Sequence, residues 1–205
     1  MNSACRRSVA TLLLSTALAV LPGSAVAAGV VFIKGGAMHL MDNSQSFDTP
    51  AHIPENVTLD ETSYKTINAG WELRLRHGWA VGTEYLGYNH RFTSSASPSA
   101  RGTAETDAFM VSGKKYFFNS GNFHPYVGGG FGIGFTDISN EGGGGQIEMD
   151  LNTSILLHAM LGVELRIDHL SFLLEAKHMK FDIRHIDVEY DPTATGMFLG
   201  VGFNW

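Results

Sequence analysis

T-G-M-F-L-G-V-G-F-N-W, residues 195–205, ends the chain. Met197, Leu199, Val201, Phe203 and Trp205 fall on one face at period two, and Gly196, Phe198, Gly200, Gly202 and Asn204 on the other. Such alternation marks a strand with one apolar face. Its position is the informative part. An apolar strand running to the carboxylate gives a soluble sheet an exposed edge, whereas a closed barrel needs a last strand to pair with its first.

Working outward, seven more segments alternate in the same way. The first strand is expected over about Val30 to Leu40, where Lys34, Gly35 and Gly36 interrupt the pattern. The second runs from about Tyr64 to Arg76, with Ile67, Ala69, Trp71, Leu73 and Leu75 opposite Asn68, Gly70, Glu72, Arg74 and Arg76. The third covers about Trp79 to Phe92, the fourth Glu105 to Phe118, the fifth His124 to Ile138, the sixth Gln146 to Arg166 and the seventh Leu170 to Ile183. The fifth sets Val127, Phe131, Ile133 and Phe135 against an unbroken glycine row at 128, 130, 132 and 134. In an ordinary sheet that row would leave voids. In a narrow barrel it makes room for long side chains reaching across from other strands.

Loop length sorts by parity. The connections His77-Gly78, about Asn119 to Phe123, and Asp168-His169 are short, while about Met41 to Ser63, Thr93 to Ala104, Ser139 to Gly145 and Arg184 to Pro192 are long and polar. Short turns at one end and long loops at the other are expected of an eight-stranded antiparallel up-and-down transmembrane β-barrel, with the short side periplasmic. A Greek-key sandwich would not sort its loops this way.

Composition agrees. Mean hydropathy is near zero, as expected when lipid-facing apolar and lumen-facing polar residues cancel along every strand. A net charge of −6 argues against a nucleic-acid partner. Arg6 and Arg7, the apolar run Val9 to Leu21, and Ala25-Val26-Ala27 read as a cleaved export signal over residues 1–27, leaving 28–205 as the barrel domain. Cys5 lies in that signal, so the mature chain would have no thiol chemistry.

The inward register collects Glu72, Arg74, Arg76, Glu84, Lys114, Glu164, Arg166, Glu175 and Lys177, with His158 beside them. Charges in a narrow lumen must pair, so a salt-bridged plug is the expectation. An exchangeable polar conduit is the competing reading. Aromatic belts are expected from Trp71, Trp79, Tyr116, Phe117, Phe118, Phe203 and Trp205 at the periplasmic side, and from Tyr64, Tyr85, Tyr88, Phe92 and Phe135 at the outer side.

Nine histidines are scattered without a ligand pattern, so neither a metal site nor a cofactor is expected. His158 is the best placed for chemistry, with Glu175 as orienting carboxylate and Ser154 or Ser171 as nucleophile; a polar-network role is favoured over it. Acidic loop residues Asp42, Asp48, Glu55, Asp60, Glu61, Asp182, Asp187, Glu189 and Asp191 read as a solvated surface rather than a calcium loop.

With the F-H-P-Y-V-G-G-G-F-G-I-G stretch at Phe123 to Gly134 and the L-G-V-G-F-N-W ending, the sequence resembles the small outer-membrane barrels of the OmpA/OmpX/OmpW-like group. The resemblance implies an outer-membrane location, lipopolysaccharide and outer-membrane lipid as surroundings, and insertion by the barrel-assembly machinery. Phe203 and Trp205 resemble the terminal signal which that machinery recognises. Group members include adhesins, conduits for small hydrophobic molecules, structural proteins and lipid A enzymes, and fold alone cannot choose among them. Deacylase-type barrels carry a histidine, a serine two residues on, and then an asparagine; here His178 is followed by Met179, Lys180 and Phe181. The reading therefore expects a non-enzymatic barrel with a structural or surface-interaction role. A conduit for small hydrophobic molecules is its alternative, and a lipid A-modifying enzyme comes third.

Overall fold

Alternating sequences of this kind bury one face whichever strands they pair with, so closure is decided by the two outermost strands. The computed structural model describes residues 28–41, 44–48, 54–59, 63–94, 101–118, 120–141, 149–185, 188–190 and 193–205. Its strands are β1 (Gly29–Leu40), β2 (Ser44–Asp48), β3 (Pro54–Leu59), β4 (Ser63–Arg74), β5 (Trp79–Ser94), β6 (Arg101–Tyr116), β7 (Phe123–Glu141), β8 (Met149–Ile167), β9 (Leu170–His185), β10 (Val188–Tyr190) and β11 (Thr193–Asn204). Strands β1, β4, β5, β6, β7, β8, β9 and β11 form a closed eight-strand antiparallel up-and-down barrel. The seam pairs Val30 with Asn204 and Leu40 with Ala194, so the terminal strand leaves no edge.

β1 is not interrupted at Lys34-Gly35-Gly36. Both ladders run through it, Lys34 facing Gly200 on one side and Asn68 on the other. The long first connection holds the β2–β3 hairpin, and Val57 to Leu59 pair with Ser94 to Phe92 at the upper end of β5. That pairing satisfies backbone groups of a strand rising above the wall. β10 likewise pairs with the end of β9. The export segment 1–27, the acidic positions Asp42, Asp60, Glu61, Asp187 and Asp191, and the glycine tip at 142–145 lie outside the described residues, as do the side chains of Asp48, Glu55, Asp182 and Glu189.

The short turns are tight. His77 adopts a φ of 60° and Asp168 a φ of 52°, both in the left-handed region. β4 ends at Arg74, and Arg76 opens a 3-10 turn with His77 and Gly78. Arg76 is therefore exposed at the rim and not in the lumen. Extending the alternation two residues past the strand end carried it inward in the sequence reading.

The wall is apolar outside and polar inside. Ile33, Ile67, Phe131, Leu161 and Leu199 stand exposed, while Lys34, Glu72, Glu84, Glu164, Glu175 and Lys177 are buried. This inversion suits a bilayer and not water. Trp79, Phe117, Phe118, Phe203 and Trp205 are exposed around the short-turn end. Tyr116 and Tyr88 do not join the belts: both fall on the inward parity and are buried.

Inward glycines set how closely the interior packs. A Cβ on Gly162 would lie 2.6 Å from the Tyr126 ring and 2.7 Å from the Leu174 carbonyl. Gly162→Val is expected to lower stability by about 1–3 kcal/mol through overpacking. The check is urea unfolding in micelles, where the midpoint should fall while the heat-modifiable gel shift of the folded barrel persists.

Candidate functional site

Two polar constellations stand out, one inside the barrel and one on its outer wall. Inside, the alternation of β1, β5 and β9 aims Lys34, Glu84, Glu175 and Lys177 at one level. Lys34 Nζ lies 2.7 Å from Glu175 and 3.2 Å from Glu84, and Lys177 Nζ lies 2.5 Å from Glu84 and 3.3 Å from Glu175. Asn68 donates to Glu84 at 3.0 Å, and Tyr126 donates its hydroxyl hydrogen to Glu175 at 2.8 Å. A second tier joins Lys114 to Glu72 at 3.1 Å, and Arg74 and Arg166 to Glu164 at 2.5 and 2.8 Å. Ser171 also donates to Glu164, and Tyr116 donates to Glu72 at 2.9 Å.

Glu72, Arg74, Glu84, Lys114, His158, Glu164, Arg166, Glu175 and Lys177 thus lie within this interior, and Arg76 does not. Sequence reasoning missed Lys34, which bridges both central carboxylates. Its inward parity follows from Phe32 and Met38 on the same face, and the two glycines after it leave the strand unbroken.

His158 is not oriented by Glu175 and does not meet Ser154 or Ser171. Its Nε2 lies 3.1 Å from Ser112 Oγ, and Ser112 in turn donates to Glu84 at 3.2 Å. Ser154 Oγ and His158 Nδ1 have no hydrogen-bond partner. Ser112 gives its one hydrogen to Glu84, so the carboxylate takes the proton that a base at His158 would need. His158, Ser112 and Glu84 are also sealed from solvent and lipid by the closed wall. No ester of a membrane lipid reaches them.

The outer constellation sits where the apolar band ends. On β9 the outward residues run Leu170, Phe172, Leu174, Ala176 and then His178 and Lys180. On β11 they run Phe203, Val201, Leu199, Met197 and then Thr195. Thr195 stands directly between His178 on β9 and His39 on β1 in the ladder. His178 Nδ1 lies 2.9 Å from Thr195 Oγ1, and that hydroxyl also lies 3.7 Å from Met41 Sδ. The hydroxyl has one hydrogen and two possible acceptors, so a neutral imidazole with an open Nδ1 lone pair can take it. A hydroxyl with a base in hydrogen-bond reach, exposed at the hydrocarbon boundary, is equipped for attack on an ester buried just below a lipid headgroup.

A family model described as "Lipid A 3-O-deacylase (PagL)" matches residues 61–186. No curated protein matches the chain. Among solved structures, the chain is similar to Neisserial surface protein A (NspA) at 14% identity, covering 89% of this chain and 100% of that one with a TM-score of 0.53. It is also similar to the outer membrane protein OprG from Pseudomonas aeruginosa at 15% identity, covering 86% and 96% with a TM-score of 0.55. These likenesses concern the fold, that of small bacterial outer-membrane barrels. The family match overturns the expectation of a non-enzymatic barrel, because the matching family is one of enzymes. That expectation rests on the missing histidine-x-serine-asparagine pattern, since Met179, Lys180 and Phe181 follow His178.

Proposed function

The chain belongs to the lipid A 3-O-deacylase (PagL) family, and from that membership we propose that it hydrolyses the acyl ester at the 3-position of lipid A, with Thr195 as nucleophile and His178 as base. The observation that carries this reading is the 2.9 Å approach of His178 Nδ1 to Thr195 Oγ1 on the exposed wall. Lys180 stands two residues after His178, where the deacylase pattern has serine. Thr195 provides a hydroxyl from the adjacent strand in its place.

The chemistry balances as ordinary ester hydrolysis. Thr195 Oγ1 attacks the ester carbonyl carbon while its proton passes to His178 Nδ1. The tetrahedral intermediate collapses by breaking the bond to the sugar oxygen, which takes the proton from the imidazolium and leaves as the free 3-hydroxyl. Water, deprotonated by His178, then cleaves the acyl-threonine ester and releases a fatty acid. The partner in this reading is outer-leaflet lipopolysaccharide. Export through a cleaved 1–27 segment, and insertion through the terminal aromatics Phe203 and Trp205, belong to it as well.

Mass spectrometry of lipid A from cells with and without the protein tests the reaction. Loss of one ester-linked acyl chain, dependent on the protein, is the expected result. Identical lipid A from both would remove the deacylase reading.

A further inference from the structure

Met41 stands just beyond the Thr195–His178 pair, on the side away from the apolar band. It follows the last residue of β1, and its backbone N–H donates to the Thr193 carbonyl at 2.9 Å, continuing the β1–β11 ladder past the strand end. That bond holds the side chain beside Thr195. The Thr195 hydroxyl donates to Met41 Sδ at 3.7 Å, and the same oxygen lies 2.9 Å from His178 Nδ1. One hydrogen thus serves two acceptors. A thioether sulfur is the weaker of them, so the reduced side chain leaves the hydrogen to the imidazole.

Access separates Met41 from the other methionines. Among the described side chains, Met38, Met110, Met160 and Met179 are buried inside the barrel. Met197 is outward but lies within the apolar band beside Leu199, where bilayer hydrocarbon covers it. Met41 is 66% exposed above that band. A peroxide dissolved in water meets it before the rest.

We propose that Met41 is an oxidation site that controls the Thr195 hydroxyl: its sulfoxide takes the hydroxyl hydrogen from His178 and slows ester hydrolysis. The sulfur lone pair attacks one oxygen of hydrogen peroxide, and an S–O bond forms as the O–O bond breaks. The departing hydroxide removes the proton from the sulfur-bound oxygen and leaves as water. Sulfur is oxidised and the peroxide reduced. The apolar side chain becomes a polar one. An oxygen carried on that sulfur brings a strong acceptor within ordinary O–H···O distance of a hydroxyl that starts 3.7 Å from the sulfur itself. Enzymatic reduction of the sulfoxide returns the thioether, so the control is reversible. The effect on rate rests on the hydrolase reading, whereas the exchange of hydrogen-bond acceptor does not.

The test treats the full folded chain in micelles with hydrogen peroxide and maps the oxidised methionines by peptide mass spectrometry. Nitrogen NMR of the histidine rings and fatty-acid release from lipid A are followed in parallel. His178→Gln identifies the Nδ1 signal by its disappearance, and Thr195→Ala gives its position without the hydroxyl. Met41 is expected to oxidise ahead of Met197 and the lumen methionines. The Nδ1 signal should then move to its Thr195→Ala position, and release should slow about tenfold, the population ratio set by the net worth of one hydrogen bond. Methionine sulfoxide reductase should reverse both changes. Met197→Leu should respond as wild type does, and Met41→Leu should show neither change. Oxidised Met41 with an unmoved Nδ1 signal, an unchanged rate in active oxidised protein, or the full response in Met41→Leu would each overturn the proposal. So would oxidation of the lumen methionines ahead of Met41. A moved signal in a chain that releases no fatty acid under any condition supports the acceptor exchange and removes the hydrolase.

Discussion

Thr195→Ala protein, purified as the folded barrel and mixed with lipid A in micelles, is expected to release fatty acid about a thousandfold more slowly than wild type. Alanine removes the only hydroxyl within hydrogen-bond reach of His178 among the described residues. His178→Ala should lose a similar factor, and the double variant little more, because nucleophile and base act as one unit. Thr195→Ser keeps the oxygen and should keep most of the rate. The discriminating control is Ser112→Ala. Ser112 touches the other histidine of interest, His158, at 3.1 Å, yet it is buried in the lumen. Its loss should leave the rate within about twofold, because the reacting ester never meets it. If Ser112→Ala abolished release and Thr195→Ala spared it, the chemistry would belong inside the barrel and the outer-wall assignment would be wrong.

The contrast between those two serine- and threonine-bearing sites explains how far the sequence could be read. Parity along a strand is a local property, so the apolar outer face, the glycine row and most of the lumen charges followed directly from alternation. Errors arose where alternation was stopped too early or carried too far. Lys34 was set aside because two glycines follow it, although Gly36 faces inward against Phe198 and the strand continues through it. Arg76 was carried inward because the count did not stop at the end of β4. Tyr88 and Tyr116 were placed in the belts by height alone, when even parity on their strands sends them to the lumen.

The His178–Thr195 approach is illegible in the sequence for a different reason. His178 and Thr195 are joined by the register of β9 against β11, which depends on the loop between them. A one-residue slip would turn Thr195 inward. Linear patterns such as histidine-x-serine report only partners on one strand. The family match covers residues 61–186, which include His178 and not Thr195, so it bears on the family and not on the pair.

The largest stability effect should come from the centre of the lumen. Glu84→Gln is expected to destabilise the barrel by about 3–5 kcal/mol, because removing one member of a buried ionic cluster leaves its partners charged and uncompensated. Glu84 Oε2 receives Lys177 at 2.5 Å, Asn68 at 3.0 Å and Lys34 at 3.2 Å. After the substitution both lysines would share Glu175, which also faces Lys114 at 3.7 Å. Glutamine preserves volume, so the loss reports charge rather than a cavity. Its amide can still accept one hydrogen bond, but it cannot offset two ammonium groups. Urea unfolding followed by tryptophan fluorescence, together with the heat-modifiable gel shift, measures the change. Pairing Glu84→Gln with Lys177→Met should recover a large part of the loss, since the double variant removes one charge of each sign and restores the local balance. The two substitutions would then be strongly non-additive. Additive losses would instead mean that the cluster contributes through packing alone, and that its charges are solvated by water within the lumen.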